Sequence, residues 1–315
     1  MSTKITVIGA GSVGAAITND IMVQGIASEV VLIDINKDKA MGEALDIYQG
    51  APFCSPAIIR SGDYEDAEGS QIVIITSGVP RKPGQTRLEL AQTNVNILKD
   101  ITPKIVKYAP DAVYVLVSNP VDILTYVFTK ISGIPENRIL GSGTVLDTSR
   151  LQSELAKRFC ISPKNVHAHV YGEHGDSSFV PWSLATIANT KVDDYKKCVS
   201  DSSRIQWDGN HEVVEEFVKR SGAQVIKCKG ATFYAVAISV CHICKCILNG
   251  SGTALTVSTM MHGEYGVEDV CLSTLHLVGN RGVHAKIITP LTDEETAKMQ
   301  NSARVLKEII AGLEI

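Results

Sequence analysis

The stretch Lys4-Ile-Thr-Val-Ile-Gly-Ala-Gly-Ser-Val-Gly14 decides the fold of this chain of 315 residues. A short apolar run ends in the pattern G-x-G-x-x-G, and a helical pattern begins within it. This order is typical of a dinucleotide-binding unit. The first glycine allows a tight turn, the second lets a pyrophosphate approach the backbone, and the third lets the helix pack against the strand. The residues of this turn that we assign to cofactor binding are Gly9, Gly11, Ser12, Val13 and Gly14.

The acidic residue Asp34 follows Gly14 by 20 positions and ends the next predicted strand. A carboxylate at this point can accept hydrogen bonds from both ribose hydroxyls of NAD, whereas it repels the 2′-phosphate of NADP. The residues that follow Asp34 are Ile35 and Asn36, so no arginine stands there to neutralise such a phosphate. The sequence therefore predicts NAD as the cofactor.

Short β-branched runs alternate with longer amphipathic stretches in the first half of the chain, which is typical of a parallel sheet covered by helices. The predicted strands are 5–9, 30–34, 57–60, 72–76, 114–118 and 138–141, and the predicted helices are 13–24, 37–48, 87–108, 122–131 and 146–159. The second half has predicted strands at 166–171, 254–262 and 270–278 and predicted helices at 212–227, 232–248 and 293–313. We predict an α/β protein with a Rossmann-like doubly wound parallel sheet in an NAD-binding domain (residues 1–145). An α+β catalytic domain (residues 146–315) follows, with a cleft between the two.

The composition excludes several classes of protein. Hydrophobic residues make up 44% of the chain and charged residues 20%, as in ordinary soluble globular proteins. The net charge of −4 provides no basic surface for nucleic acid or for an anionic membrane. The eight cysteines are scattered and no signal peptide is recognisable, which predicts a reducing cytoplasm. The longest apolar stretch, 231–248, contains too many polar residues for a membrane span.

The run Cys241-His-Ile-Cys244-Lys-Cys246 contains residue types that bind metals. It lies inside a predicted helix, however, and no second cysteine or histidine pair stands at the spacing of a zinc site. We interpret these cysteines as small buried side chains of a core helix and predict no metal site.

Several polar groups stand where a dinucleotide enzyme could bind a second ligand. Asp147 and Arg150 are three positions apart on a predicted helix and share one face, although a surface ion pair is the alternative. His174 lies close to glycines after a predicted strand, where a structural histidine is the alternative. A basic loop that contains Arg81 and ends at Arg87 follows the fourth strand. Open α/β sheets bind ligands at this edge, and the alternative is a solvated charge run.

Six motifs follow one another from end to end of the chain: Gly9-Ala-Gly-Ser-Val-Gly14, Arg81-Lys-Pro-Gly-Gln-Thr-Arg87-Leu, Val117-Ser-Asn-Pro-Val-Asp122, Gly141-Ser-Gly-Thr-Val-Leu-Asp-Thr-Ser-Arg150, Gly172-Glu-His-Gly-Asp-Ser177 and Gly230-Ala-Thr-Phe-Tyr234. With these motifs the chain resembles the L-lactate/L-malate dehydrogenase superfamily, and its bacterial L-lactate dehydrogenases in particular. The resemblance implies hydride transfer between a nicotinamide and C2 of a small 2-hydroxy or 2-oxo acid. It also implies a homotetramer.

The resemblance implies a role for each polar group. His174 exchanges the hydroxyl proton, Asp147 orients it, Arg150 clamps the substrate carboxylate, and Arg87 on a mobile loop polarises the carbonyl. These roles suit the chemistry, because a ketone that is being reduced gains negative charge on its oxygen. The other implied site residues are Arg81, Asn119 and Thr232 for the substrate, and Thr76, Gly78 and Asn119 for the cofactor.

The choice between lactate and malate depends on the basic loop. Arg81 stands at the position that senses the substrate side chain, where the resemblance associates arginine with oxaloacetate. Burying an unpaired guanidinium against a methyl group is costly, so this residue alone favours malate. Gly172-Glu-His-Gly, Thr232, Trp182 and the Leu88 that follows Arg87 are all of the lactate dehydrogenase type. We therefore predict an L-lactate dehydrogenase, with malate dehydrogenase as the alternative.

Two other classes remain as alternatives. One is an NAD-dependent glycosidase of similar fold, but Ser118 stands where that class needs a metal-binding cysteine. The other is a non-catalytic NAD sensor, which would have no use for the complete polar set. Some bacterial L-lactate dehydrogenases that resemble this chain are activated by fructose 1,6-bisphosphate. Like them the chain has a histidine at position 167, but Gln152 stands where they have an arginine that pairs with a phosphate. We expect weak activation by this effector, or none.

Overall fold

The computed structural model describes residues 3–80, 84 and 86–315. The helices are α1 (Ser12–Val23), α2 (Lys37–Tyr48), α3 (Arg87–Tyr108), α4 (Val121–Ile131), α5 (Val145–Phe159), α6 (Val192–Cys198), α7 (His211–Lys229), α8 (Tyr234–Asn249) and α9 (Asp293–Ile310). The strands are β1 (Lys4–Ile8), β2 (Glu29–Ile33), β3 (Ile58–Ser61), β4 (Ile72–Ile75), β5 (Val113–Leu116), β6 (Ile139–Gly141), β7 (Val166–His167), β8 (Thr186–Ile187), β9 (Thr190–Lys191), β10 (Thr253–Leu255), β11 (Ser258–His262), β12 (Glu268–Ser273), β13 (His276–Gly279) and β14 (Gly282–Lys286).

The central sheet has the strand order β12-β11-β6-β5-β4-β1-β2-β3. Its first six strands in the chain are parallel and run in the order β3-β2-β1-β4-β5-β6, which confirms the predicted doubly wound sheet. Strands β1, β4 and β5 are almost wholly buried, as expected for a sheet that is covered on both faces. The winding reverses between β1 and β4, so the carboxyl ends of these two strands open into the crevice where such sheets bind ligands.

The second half of the chain joins this sheet, which the sequence did not indicate. Strand β11 pairs antiparallel with β6 through Ser258 and Gly141, and it also pairs with β12. The other strands of this half form two small sheets, β10-β13-β14 and β7-β8-β9. The two halves therefore share a continuous sheet. The predicted cleft lies at the carboxyl ends of β5 and β6.

Two of the predicted long strands are wrong in the same way. The stretch 254–262 divides into β10 and β11, and 270–278 divides into β12 and β13. In each case one part pairs in a small sheet and the other in the central sheet, so the chain changes partners between them. At the first break the backbone carbonyl of Thr256 accepts a hydrogen bond from the Thr144 amide at 3.1 Å. At the second, His276 Nδ1 lies 2.7 Å from the Thr274 carbonyl oxygen.

The predicted strand 166–171 is also wrong over most of its length. Only Val166 and His167 pair with β8. Farther along, Tyr171 and Gly172 make isolated bridges to Phe179 and Ser273. The chain leaves the small sheet here because Gly172 pairs instead with Ser273 at the end of β12, in the central sheet.

The helix predictions agree more closely with the structure. Helices α2 and α3 have the predicted bounds, and α9 ends at Ile310 rather than at 313. Helix α8 packs on α1, and the described core cluster there includes Cys241, Cys244 and Cys246 together with residues of β1. The cysteines are thus core side chains, as we interpreted them. No helix within the described ranges is long and apolar enough to cross a membrane.

Candidate active site

The glycine turn between β1 and α1 has the geometry that a pyrophosphate requires. Gly9 has a φ of +111°, and a Cβ there would lie 2.6 Å from the Thr76 hydroxyl oxygen. A Cβ on Gly14 would overlap the carbonyl oxygen of Gly9, so this glycine lets α1 approach the strand. A Cβ on Gly11, in contrast, would meet nothing within 4 Å. The space in front of Gly11 lies at the N-terminus of α1, where amide groups point outward and favour an anion.

The other predicted cofactor residues surround this turn. Asp34 Oδ2 accepts a hydrogen bond from the Ala10 amide at 2.6 Å, so its carboxylate lies beside the turn. The Thr76 hydroxyl lies 3.0 Å from the Gly9 carbonyl oxygen and braces the turn from β4. Ser12 is exposed at the first position of α1, Val13 is half-buried next to it, and Gly78 packs against Asn94. The arrangement fits a dinucleotide laid across β1, β2 and β4.

A cavity of about 310 Å³ lies between the two halves of the chain. Five of the residues predicted for the site line it, namely Asn119, Asp147, Arg150, His174 and Thr232. Its walls also include apolar side chains: Val117, Leu146, Ile226 and Val236. The structure therefore brings together groups that are more than 100 positions apart in the sequence.

Asp147 binds both of its predicted partners. Its Oδ2 lies 2.5 Å from His174 Nδ1, and its Oδ1 accepts a hydrogen bond from Arg150 Nη1 at 2.8 Å. The Asp147 side chain is 9% exposed, whereas those of Arg150 and His174 are 16% and 24% exposed. Because Nδ1 is taken by Asp147, Nε2 is the nitrogen of His174 that remains for a ligand. The surface ion pair that was the alternative for Asp147 and Arg150 is thereby excluded.

The charges of this group stabilise a protonated histidine. The negative charge of Asp147 raises the pKa of His174 to about 9, although burial and the Arg150 charge act in the opposite direction. Burial raises the pKa of Asp147, but His174 and Arg150 outweigh it and hold this pKa below its ordinary value. The site can therefore hold a proton on imidazole at neutral pH, next to a carboxylate that stays ionised.

Arg87 lies at the start of α3, as the predicted bounds of this helix have it, and not on the loop where the resemblance places it. It is the first residue of the helix, with Thr86 as the N-cap. Its guanidinium contacts the carboxylate of Asp176, which lines the cavity, but Arg87 itself is not among the lining residues. Arg81 lies outside the described residues, so the position that we associate with substrate choice is not described.

The two residues considered for effector binding lie away from the cavity. His167 is exposed at the end of β7. Gln152 Nε2 donates a hydrogen bond to the carbonyl oxygen of Ala168 at 3.2 Å and so serves the local structure. Weak or absent activation by fructose 1,6-bisphosphate stays a prediction.

Sequence reasoning missed three residues that shape the site. Lys219 lines the cavity from α7, on the same helical face as Gly222 and Ile226. Asn94 on α3 is 2% exposed and donates to the backbone carbonyl of Asn119 at 2.7 Å. The third is Asp122, which is 2% exposed in the first turn of α4. A polar residue at a core-facing helix position was the available signal for Asn94.

No group of three or more histidine, cysteine or acidic side chains is placed to hold a metal ion, as far as the described part of the chain goes. The cysteines and the histidine of the run 241–246 likewise form no such group.

Comparison with known families agrees with this geometry. Residues 3–141 match the family model of the lactate/malate dehydrogenase NAD binding domain. Residues 144–314 match that of the lactate/malate dehydrogenase alpha/beta C-terminal domain. The chain belongs to the lactate/malate dehydrogenase family. The resemblance inferred from the six motifs is confirmed, as are the α/β fold and NAD as the cofactor.

Individual members of the lactate/malate dehydrogenase family match over almost their whole length. L-lactate dehydrogenase 1 of Clostridium acetobutylicum is 48% identical over 312 residues, which cover 99% of both chains. L-lactate dehydrogenase of Clostridium botulinum is 47% identical over 310 residues, which cover 98% of this chain and 96% of the relative.

Two solved structures of the family have similar folds. One is a minor L-lactate dehydrogenase from Enterococcus mundtii, with a TM-score of 0.94 and 37% identity, covering 100% of this chain and 99% of that one. The other is a lactate dehydrogenase from a Medee basin deep-sea metagenome library, with a TM-score of 0.94, 34% identity and 99% coverage of both chains.

Proposed function

We propose that this protein is an NAD-dependent L-lactate dehydrogenase, which interconverts pyruvate and L-lactate. The observation that carries the proposal is the cavity in which Asp147 binds both His174 and Arg150, beside a glycine turn built for a dinucleotide. The similarity to L-lactate dehydrogenases over the whole chain supports pyruvate as the substrate.

The cofactor, when bound, supplies or accepts the hydride. Arg150 binds the substrate carboxylate through the guanidinium hydrogens that Asp147 leaves free, because a guanidinium pairs with a carboxylate in two parallel hydrogen bonds. His174 then faces the C2 oxygen with Nε2 and donates its proton as that oxygen gains charge. Asp147 balances the positive charge on the imidazolium, and in the reverse direction neutral His174 takes the hydroxyl proton.

The roles of the remaining residues follow from their positions. Asn119 and Thr232 line the cavity, and we assign both to substrate binding. Arg87 reaches the carbonyl oxygen only if its guanidinium leaves Asp176, so we propose that substrate binding exchanges this contact. Gly9, Gly11, Gly14 and Asp34 hold the pyrophosphate and ribose, with Ser12, Val13, Thr76 and Gly78 around them.

The organisation of the protein is also part of the proposal. We divide the chain close to residue 145, between β6 and α5, into an NAD-binding and a catalytic domain. The exposed cysteines Cys160, Cys198 and Cys228 suit a reducing cytoplasm. A homotetramer is supported by large apolar side chains exposed on α2 and α8, which an isolated subunit would leave in water.

Oxaloacetate is the alternative substrate, because Arg81 could pair with its second carboxylate. We expect kcat/KM with NADH to be at least tenfold higher for pyruvate than for oxaloacetate, since the apolar walls formed by Val117, Leu146, Ile226 and Val236 suit a methyl group. Both values are measured side by side by NADH oxidation, without added metal. A tenfold preference for oxaloacetate would identify a malate dehydrogenase, and no reaction with any 2-oxo acid would reject the enzyme class.

Arg81→Gln serves as the matched variant for this comparison. If Arg81 recognises a second carboxylate, the variant loses activity with oxaloacetate and keeps activity with pyruvate. If its head lies in solvent, as an L-lactate dehydrogenase requires, the ratio of the two activities changes little.

A further inference from the structure

The carboxylate of Asp122 is buried, and both of its oxygens are hydrogen-bonded. Its Oδ2 accepts from the backbone amide of His174 at 2.7 Å, and its Oδ1 accepts from the hydroxyl of Ser258 at 2.6 Å. The residue is 2% exposed. Burying a carboxylate costs free energy, and an isosteric neutral residue could occupy the same position. The charge at this position therefore needs an explanation.

The two main-chain amides that precede His174 are bonded to the second half of the chain instead. The Gly172 amide donates to the Ser273 carbonyl oxygen at 2.9 Å, and the Glu173 amide donates to the Ser302 hydroxyl at 2.7 Å. Asp122 belongs to the first half and follows the cavity residue Asn119 by three positions. It therefore fixes the His174 backbone relative to the part of the molecule that holds the glycine turn.

Asp122 is also a second negative charge near the imidazole. Burial raises its own pKa to about 6, although the hydrogen bonds from Ser258 and His174 lower it, so it is ionised at neutral pH. Its charge adds to that of Asp147 in raising the pKa of His174, whereas Arg150 opposes both. The other titratable groups near Asp122 are Glu173 and the Cys271 thiol, whose pKa is well above its ordinary value.

We propose that Asp122 is a positioning residue for His174, which anchors the main chain of the histidine to α4 and helps to keep the proton on its ring. The part of this inference that concerns catalysis rests on the proposed dehydrogenase activity. The part that concerns the histidine proton does not, because a ring titration requires no turnover.

The test compares Asp122→Asn with Ser258→Ala. The asparagine keeps an oxygen for the His174 amide and a group for Ser258 but removes the charge, whereas Ser258→Ala removes one hydrogen bond and keeps the charge. The His174 ring is titrated by NMR in each protein, and kcat/KM for pyruvate is measured from pH 6 to 10. In Asp122→Asn we expect the ring midpoint and the alkaline limb of kcat/KM to move down together by about 0.5–1 pH unit. In Ser258→Ala both stay at the wild-type pH.

The possible results separate the alternatives. A ring midpoint in Asp122→Asn equal to the wild-type value, with activity lowered by one factor at every pH, overturns the proposal and leaves Asp122 a packing residue. A shifted midpoint in a protein that reduces no 2-oxo acid upholds the charge effect and rejects the proposed function instead. Should Asp122→Asn not fold, the wild-type protein still provides a test. The Asp122 carboxyl carbon and the His174 amide proton are followed by NMR on acidification, and the amide should shift at the pH at which the carboxyl takes up its proton, because the carboxylate accepts from this amide. An amide proton that does not respond when the carboxyl titrates contradicts the proposal.

Discussion

His174 is the residue whose ionisation governs the proposed reaction. Its pKa is raised to about 9, mainly by the charge of Asp147. Pyruvate reduction needs the protonated ring, so we expect kcat/KM for pyruvate to be flat through neutral pH and to fall about tenfold per unit above pH 9. Lactate oxidation needs the neutral ring, so its kcat/KM should rise up to the same pH. Steady-state rates in both directions over pH 6–10 measure the two limbs.

The variant Asp147→Asn tests whether the two limbs of the pH profiles arise from the pair of His174 and Asp147. Removing the negative charge takes away the largest cause of the raised pKa, so both limbs should move toward the ordinary histidine value of 6.5. Limbs that stay near pH 9 in this variant would mean that another group titrates, and His174 would lose its role as acid and base.

Single residues differ in how far the sequence predicts them. His174, Asp147 and Arg150 lie in motifs whose residue types already indicate proton transfer and carboxylate binding, and the structure places them in one cavity. Asp122 also lies in a quoted motif, but its partner is 52 positions away, and no spacing rule connects them. Lys219 was missed because its helix reads as an ordinary amphipathic surface until the cavity is seen.

The turn between β1 and α1 offers a matched pair of substitutions. In Gly14→Ala the new methyl group overlaps the Gly9 carbonyl oxygen, so α1 must move away from β1. We expect a loss of about 1–3 kcal/mol in the free energy of unfolding. In Gly11→Ala the methyl group enters open space and the backbone φ of −74° suits alanine. Stability should therefore change by about 0.5 kcal/mol or less.

Although Gly11→Ala should leave the stability of the protein almost unchanged, it should weaken the binding of NADH. The methyl group occupies the space that we assign to the pyrophosphate, so we expect NADH affinity to fall about tenfold or more while the protein stays folded. Urea unfolding and NADH fluorescence titration give the two quantities. Wild-type NADH affinity in Gly11→Ala would show that the pyrophosphate lies elsewhere.

Some helices and strands can be predicted from the local sequence pattern, and others cannot. The glycine turn, α2 and α3 follow from residues close together in the chain: the turn glycines, Asn36 as the N-cap of α2, and Thr86 with Glu89 as a capping box at the start of α3. The stretches 254–262 and 270–278 look like single strands because their β-branched residues continue. They are divided because one part pairs with the central sheet and the other with a small sheet, and such long-range partners leave no local signal.

Several of the exposed apolar side chains of the subunit lie on two helices that pack against α1. Met41 and Leu45 on α2 are each 56% exposed and lie one turn apart, and so do Tyr234 and Ile238 on α8, at 66% and 58%. Helix α1 packs against both α2 and α8, so the two apolar faces belong to one group of packed helices. A face of this kind on a subunit of 33.9 kDa indicates contact with another copy, in agreement with the proposed homotetramer.

Light scattering at micromolar concentration should therefore give about four times the subunit mass for the wild-type protein. Ile238→Lys places a charge in the proposed contact and should shift the protein to smaller species, whereas Ile288→Lys, at an isoleucine that is 65% exposed outside both helices, should leave the assembly unchanged. Because α8 also carries the cavity residues Val236 and Ser239, the smaller species should lose activity with pyruvate more strongly than NADH binding. A wild-type monomer, or equal dissociation of both variants, would show that this face does not form the contact.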